Sequence, residues 1–318
     1  MDYRGRVRRL QQLLTVPALI SDPLDVYYYT GFRPGADDHP LVVVPRSGRP
    51  TIYLPPLTGE IRLPFATVRL GPPTDLPRRL GMDETHLPVG RFRALSKKST
   101  LVPIGATIKK PREVKDEDEI GLMKKAIALD REILGGLRLD GKTEAAVAAE
   151  MELAFLERGA SRSFETIVSS GPHAGRFIHH QPGSRRIARG DPVIVDFGAA
   201  VGGYCSDITR TRIRSGKVLE TVLAVQEECI ALVKPGVAWK DINAHHQQAL
   251  KERGFTARHG IGHGIGLFVH ESADRLEAGM VVTVEPGIYL PREGCRIEDM
   301  VLVTRTGCKV LSKAIPHL

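Results

Sequence analysis

Apolar positions recur at two different spacings along this chain, and the change of spacing divides it. In the first hundred residues the apolar runs are short and separated by turn residues. Residues 6–14 have helical spacing, 17–20 form a short apolar strand, and Asp22-Pro23 opens a second helix that runs into Tyr28. Residues 41–44 and 51–54 read as strands parted by Pro45, Ser47 and Gly48, with weaker strands at 67–70 and 101–103. The pattern predicts a small α/β domain over residues 1–107.

From residue 113 the texture changes. Residues 113–137 show a long helical pattern with Ile120, Met123, Ala126 and Ile127 on one face, and a second helix over 143–157 starts at Thr143. Strands are expected at 192–199, 204–213, 280–289 and 296–304, with amphipathic helices at 218–233 and 239–253 between the two pairs. The expectation is an α+β domain over residues 108–318.

The two strand pairs look like one device used twice. Each is a hairpin with one acid on each arm: Asp196 and Asp207 in the first, Glu285 and Glu298 in the second. In an antiparallel hairpin, opposed residues share a sheet face and faces alternate with period two. Each pair of numbers adds to an odd total, so a turn of an even number of residues puts both acids on one face. Asp196 ends the run Val193-Ile194-Val195 and Glu285 ends Val281-Val282-Thr283-Val284, which is an unusual place for a solvent-facing acid. Four converging carboxylates repel unless cations compensate or some take up protons. Divalent metals are the usual remedy, and carboxylates that bridge two ions about 3.5–4 Å apart would clamp and deprotonate a water.

An imidazole for such a site comes from His259-Gly260-Ile261-Gly262-His263-Gly264-Ile265-Gly266, where glycines let the backbone approach closely. Other chemistry fails on inspection. His270-Glu271 begins an H-E-x-x-H motif that Asp274 does not complete, no G-x-S-x-G elbow occurs, and these glycines do not fit G-x-G-x-x-G.

Composition narrows the classes. The 318 residues are 42% hydrophobic and 26% charged, as in ordinary soluble globular proteins. With no 18-residue apolar run and no signal-peptide pattern, the reading is cytoplasmic with no membrane partner. Four cysteines without C-x-x-C spacing predict reduced thiols, with Cys205 and Cys295 as packing residues. The net charge is +8, and residues 1–107 hold 15 Lys+Arg against 9 Asp+Glu. Those arginines are scattered and lack interleaved aromatics, so they read as a solvated surface and no nucleic acid is expected. Tyr27, Tyr28 and Tyr29 are expected to fill the core of the first domain, and His180, His245 and His246 to be packed or solvated.

The segments Val195-Asp196-Phe197-Gly198, Ser206-Asp207-Ile208-Thr209-Arg210, Gly262-His263-Gly264-Ile265-Gly266, Val284-Glu285-Pro286-Gly287 and Arg296-Ile297-Glu298-Asp299 together resemble the Xaa-Pro peptidases of the pita-bread fold. That family comprises prolidases and aminopeptidase P, with methionine aminopeptidase and creatinase more distant. The resemblance covers residues 104–318, and the first domain is similar to the creatinase-type cap. It implies a pair of divalent ions, Mn²⁺ foremost and Co²⁺, Zn²⁺ or Fe²⁺ as alternatives. Asp196 would bind one ion, His263 and Glu285 the other, and Asp207 and Glu298 would bridge. Glu285 would also accept the proton of the attacking water. His179 and His270 would be catalytic and touch substrate, His259 would line a proline pocket, and Arg296 would support the metal carboxylates beside the substrate.

The implied activity is hydrolysis of the Xaa-Pro bond in short proline-containing peptides, first as a dipeptidase and alternatively as an aminopeptidase on longer peptides, in a homodimer. A bond before proline has no N–H to grip and a fixed φ, so it needs a dedicated pocket. The cap argues against methionine aminopeptidase activity, and creatinases lack the ligands kept here. A non-catalytic peptide-binding relative would require loss of ligands, and all five are present. Phe268, the short connection from His270 to Glu285, and Gly175-Arg176-Phe177 depart from the family pattern and bear on the pocket wall, hence on substrate size.

Overall fold

The short apolar runs of the first hundred residues pair into one six-stranded sheet, in the order Thr67–Leu70, Thr51–Leu54, Leu41–Val44, Ala18–Ile20, Arg79–Met82, Thr100–Pro103. Leu41–Val44 is antiparallel to both neighbours, and the outer pairings are parallel. This is a computed structural model that describes residues 1–35, 38–58 and 61–318. Its chain divides into two units, Met1–Arg112 and Glu113–Leu318. The division falls at the end of the helix Gly105–Glu113 rather than after Thr107. That helix is fastened within the first unit by hydrogen bonds from the Tyr28 and Tyr29 hydroxyls to the carbonyls of Pro111 and Ile108, both 2.6 Å. Arg112 adds a buried ion pair with Asp25 at 2.7 Å. Tyr28 and Tyr29 are fully buried, so they serve packing, while Tyr27 is half-buried under the Arg33 guanidinium. The strand Arg79–Met82 and the helix Val89–Ser96 escaped the sequence pattern, because Arg79, Gly81, Gly90 and the paired lysines beyond the helix break any apolar period.

In the second unit the helix expected over 113–137 starts later, at Glu117. Asp116 accepts from the Glu119 N–H while the Glu119 side chain accepts from the Asp116 N–H, a capping box that sets the start of Glu117–Gly136. Thr143 caps Glu144–Glu157, as its hydroxyl next to a helical run implies. The helices Gly216–Leu232 and Trp239–Glu252 bury Val222, Val225, Ile242 and Leu250 against Val282, Val284 and Val301 of the sheet Val281–Val284, Asp299–Val303, Cys308–Val310. A second three-stranded sheet pairs Ile208–Arg212 with Val193–Phe197 and that strand with Ile167–Ser170. Among the described residues, no helix is long and apolar enough to cross a membrane.

Each of the four long strands expected for this unit is interrupted. The first two become Val193–Phe197 with Ala199–Val201, and Tyr204–Cys205 with Ile208–Arg212. The second two become Val281–Val284 with Gly287–Leu290, and Glu293–Arg296 with Asp299–Val303. Pro286 has no N–H to give to a ladder, which accounts for one break. Asp207, Glu285 and Glu298 all lie in the gaps, outside the named strands. Their backbones are released from regular pairing where their side chains must turn inward.

Candidate metal centre

Hairpin geometry brings the four acids together. In the first hairpin the turn is Gly202-Gly203 with φ of 60° and 87°, both left-handed, as the tight two-residue turn requires. Such a turn gives the even-numbered loop that the argument from numbering needed. The register sets Asp196 opposite Thr209, and Asp207, two residues before Thr209, takes the same face. In the second hairpin Val284 opposes Asp299 and Gly287 opposes Arg296, a register that sets Glu285 opposite Glu298. The hairpins join at a bridge between Thr209 and Glu298: the Glu298 N–H donates to the Thr209 carbonyl (3.1 Å) and the Thr209 hydroxyl to Glu298 Oε2 (2.8 Å). Behind the interrupted ladder, Gln226 donates to the carbonyls of Val284 (3.1 Å) and Ile297 (3.3 Å), supplying partners the broken strands lack.

His263 enters from the glycine-rich segment. Its N–H donates to the Thr283 hydroxyl (3.1 Å) and its carbonyl accepts from the Thr283 N–H (2.8 Å), which lays the segment along the strand Val281–Val284. Gly262, at φ 146°, is where the approach is tightest, since a Cβ there would lie 2.3 Å from the Thr283 carbonyl oxygen. His263 Nδ1 donates to its neighbour's carbonyl, Gly264 O, at 3.1 Å, so Nε2 carries the free lone pair. That nitrogen lies 3.6 Å from Asp207 Oδ2 and 3.6 Å from Glu285 Oε1. These distances exceed a hydrogen bond but suit two ligands of one cation, since bonds of about 2.0–2.2 Å at tetrahedral angles separate donors by about 3.4 Å.

All nine residues singled out in the sequence line one cavity of about 280 Å³: His179, Asp196, Asp207, His259, His263, His270, Glu285, Arg296 and Glu298. Phe164, Ile167, Ile178 and Val269 complete an apolar side. Phe268 is 49% exposed and is not among the lining residues. Asp207, His263 and Glu298 present donor atoms within 4.8 Å of one another.

The electrostatics fit a cation. Burial, with repulsion from Glu298, Asp196 and Glu285, pushes the Asp207 carboxyl well above the usual range. Glu298 is raised for the same reasons, burial first and then Glu285 and Asp196. Glu285 is pushed up to about 7 by burial. Asp196 Oδ1 is buried with no hydrogen-bond partner. Burial holds His263 down at about 4, so it is the neutral imidazole that a metal requires. Asp207, Glu285 and Glu298 are thus penalised as anions, and a divalent ion among them would relieve that penalty.

Around the acids, Arg296 is 2% exposed and donates to Asp196 Oδ2 (2.6 Å), the Tyr289 hydroxyl (2.7 Å), Thr209 Oγ1 (3.1 Å) and the Ile178 carbonyl (3.2 Å). His259 Nε2 meets the Tyr289 hydroxyl at 2.9 Å, and burial holds its ring at about 4. The His263 and His270 rings lie 4.3 Å apart by centroid, while His179 and His270 are exposed at the cavity mouth. Sequence reasoning missed Tyr289 and Gln226. Tyr289 was findable: it lies two residues beyond Gly287, which opposes Arg296, so the period of two places it on the acids' face. Gln226 left no local signal. Cys295 is fully buried, with its thiol pushed up to about 12 by burial, as suits a packing residue.

Known proteins share this fold. The family model for metallopeptidase family M24 matches residues 121–305. The chain is 32% identical over 325 residues to the Xaa-Pro dipeptidase of Pyrococcus furiosus, covering 92% of each. It is similar to the crystal structure of the prolidase from Pyrococcus horikoshii, with a TM-score of 0.88 and 30% identity over 97% of this chain and 98% of that one. It is also similar to the X-Pro aminopeptidase from Thermotoga maritima, with a TM-score of 0.85 and 27% identity over 98% and 99%. The fold is therefore the pita-bread fold of these enzymes with its smaller N-terminal α/β unit. With a family match over more than half its length and a relative above 30% identity along nearly all of it, this chain belongs to metallopeptidase family M24 and is a metal-dependent hydrolase.

Proposed function

We propose that this protein hydrolyses the peptide bond before proline, preferring Xaa-Pro dipeptides, with two divalent cations held by Asp196, Asp207, His263, Glu285 and Glu298. The observation that carries the reading is the convergence of five donors, one of them a neutral imidazole, in a cavity where burial and mutual repulsion already push three carboxyls upward. Bridging by Asp207 and Glu298 is supported by their electrostatics, since Asp207 is repelled by Glu298, Asp196 and Glu285 alike and Glu298 by Glu285 and Asp196. Mn²⁺ heads the candidates because a site rich in carboxylate with one imidazole suits harder ions. Bound cations would polarise the scissile carbonyl and bring a water's pKa near neutrality.

The chain's own groups supply the rest. Glu285 accepts the proton of the attacking water and returns it to the proline nitrogen as the C–N bond breaks. His179 and His270, at the mouth, donate to the substrate carbonyl as negative charge develops on it. His259, held by Tyr289, walls the proline ring. Arg296 acts on Asp196 rather than on substrate, because four of its hydrogen-bonding directions end on protein groups.

Preference for dipeptides is supported by the cavity volume of about 280 Å³, just below the roughly 300–1,000 Å³ usual for small-molecule pockets. Aminopeptidase action on longer peptides is the second reading, favoured by the likeness to the Thermotoga maritima enzyme. The test is kcat/KM for Xaa-Pro, Xaa-Pro-Xaa and a longer peptide with Mn²⁺ added. Dipeptides cleaved at least as well as the others support the first reading. A preference of tenfold or more for longer peptides, about 1.4 kcal/mol, replaces it with the second.

A further inference from the structure

A second cluster of chemistry-bearing side chains lies outside the acid site. Glu144, the first residue of the helix Glu144–Glu157, is 0% exposed. Its carboxylate accepts from the Ser170 N–H (2.8 Å) and hydroxyl (2.7 Å), from His173 Nδ1 (3.0 and 3.1 Å), from His180 Nε2 (2.9 Å) and from the Gly183 N–H (3.3 Å). Burial alone would raise this carboxyl, but the bonds from Ser170, His180 and His173 hold it below the usual range. The helix start grips the same stretch by its backbone: the Glu144 and Ala145 N–H groups donate to the carbonyls of Arg185 and Gly183, both 3.0 Å.

Glu144, His173 and His180 have donor atoms within 4.8 Å of one another, a grouping that could suit a metal. The hydrogen bonding argues otherwise. Both carboxylate oxygens already receive N–H or O–H donors from Ser170 or Gly183 as well as from the rings, and a cation would have to displace them. The cluster is a hub for donors from three successive pieces of chain.

Those pieces lead to the cavity. His179 lines it and is the immediate neighbour of His180. The rings of His173, Phe177 and His180 pack on one another, with His173 and His180 4.4 Å and Phe177 and His180 5.3 Å apart by centroid. On the far side, Arg296 donates to the Ile178 carbonyl and Arg258 to the carbonyls of Gly175 (3.2 Å) and Arg176 (3.2 Å). The segment carrying His179 is thus pinned from the cavity side by Arg296, further along by Arg258, and from behind by one buried carboxylate.

We propose that Glu144 is a positioning residue for catalysis: through His180, His173 and Gly183 it fixes the segment that presents His179 to the substrate. The proposal rests on the reading of His179 as a group that touches substrate. A lone aromatic ring on an exposed turn would otherwise sample several orientations, and a displacement of about 1 Å at a reacting group can cost about 100-fold in rate.

The test is a double-mutant cycle on the full chain loaded with Mn²⁺: Glu144→Gln, His179→Ala and the two combined, with kcat, KM and bound metal measured for each. Gln keeps the volume but turns an amide toward a hub made only of donors. The expected result is a fall in kcat of about 10- to 100-fold for Glu144→Gln with metal content unchanged, and no further fall when it is added to His179→Ala. Equal, additive losses in both backgrounds, or wild-type turnover by Glu144→Gln, would overturn the proposal. A loss of bound metal would overturn it too, by making the cluster part of metal binding. Full turnover by His179→Ala alone would instead remove the reading of His179 on which it rests. If Glu144→Gln does not fold, His180→Phe keeps the ring and withdraws a single donor, and the same cycle applies with the same outcomes.

Discussion

Arg296 and Asp196 form the closest ion pair of the candidate metal centre: the guanidinium donates to Oδ2 at 2.6 Å while Oδ1 of the same carboxylate is buried without a hydrogen-bond partner. The pair orients the acid, with one oxygen held by protein and the other left without a protein donor, as a metal ligand would need. Replacing Arg296 with Gln should weaken metal affinity by about 10- to 100-fold, the usual effect of removing a partner of a metal ligand. Competition against a chromogenic chelator measures this. Unchanged affinity would mean that Arg296 serves only packing or substrate.

Asp207 and Glu298 should matter more to metal content than Asp196, because a bridging carboxylate touches both ions and a terminal one touches a single ion. The measurement is metal per chain in Asp207→Ala, Glu298→Ala and Asp196→Ala. Equal loss in all three would refute the bridging assignment. Chelator-treated protein should be inactive and recover on addition of a divalent ion.

His179→Ala and His270→Ala should each lower kcat by about 10²–10³-fold while leaving metal content near normal, since both rings lie at the mouth rather than among the acids. Metal loss on either substitution would promote that histidine to a ligand.

His246 makes stability depend on acid. Its side chain is 0% exposed, neither ring nitrogen has a partner, and burial pushes its pKa from 6.5 down to about 4. A cation-forming group with a lowered folded pKa takes up its proton more readily when unfolded. Its contribution is therefore complete above pH 6.5 and lost as pH falls from 6.5 through 4. His246→Phe should remove that loss, so the variant gains about 2–3 kcal/mol on wild type between pH 7 and pH 4.5. Urea unfolding at the two pH values checks it, and parallel curves for the two proteins would show His246 to be uninvolved.

The sequence by itself determined the set of acids and the faces they occupy. Alternation with period two is a local property of extended chain, so the odd number sums put Asp196 with Asp207 and Glu285 with Glu298 wherever each turn holds an even number of residues, a condition met at 202–203 and 291–292. Caps at Asp22 and Thr143 are equally local, because a side chain bonds an N–H two or three residues away. Only the tertiary structure decided where the long strands break, since a strand is held by its neighbours and the gaps at Asp207, Glu285 and Glu298 depend on what pairs across them. It alone decided that Thr209 bonds Glu298 across 89 residues, that Gln226 serves two carbonyls of the second hairpin, and that Glu144 gathers the chain behind His179. These contacts join groups distant in sequence, and no periodicity encodes them. They form because a buried polar group left unpaired costs about 1–3 kcal/mol, a requirement that acts only once the chain has closed around it.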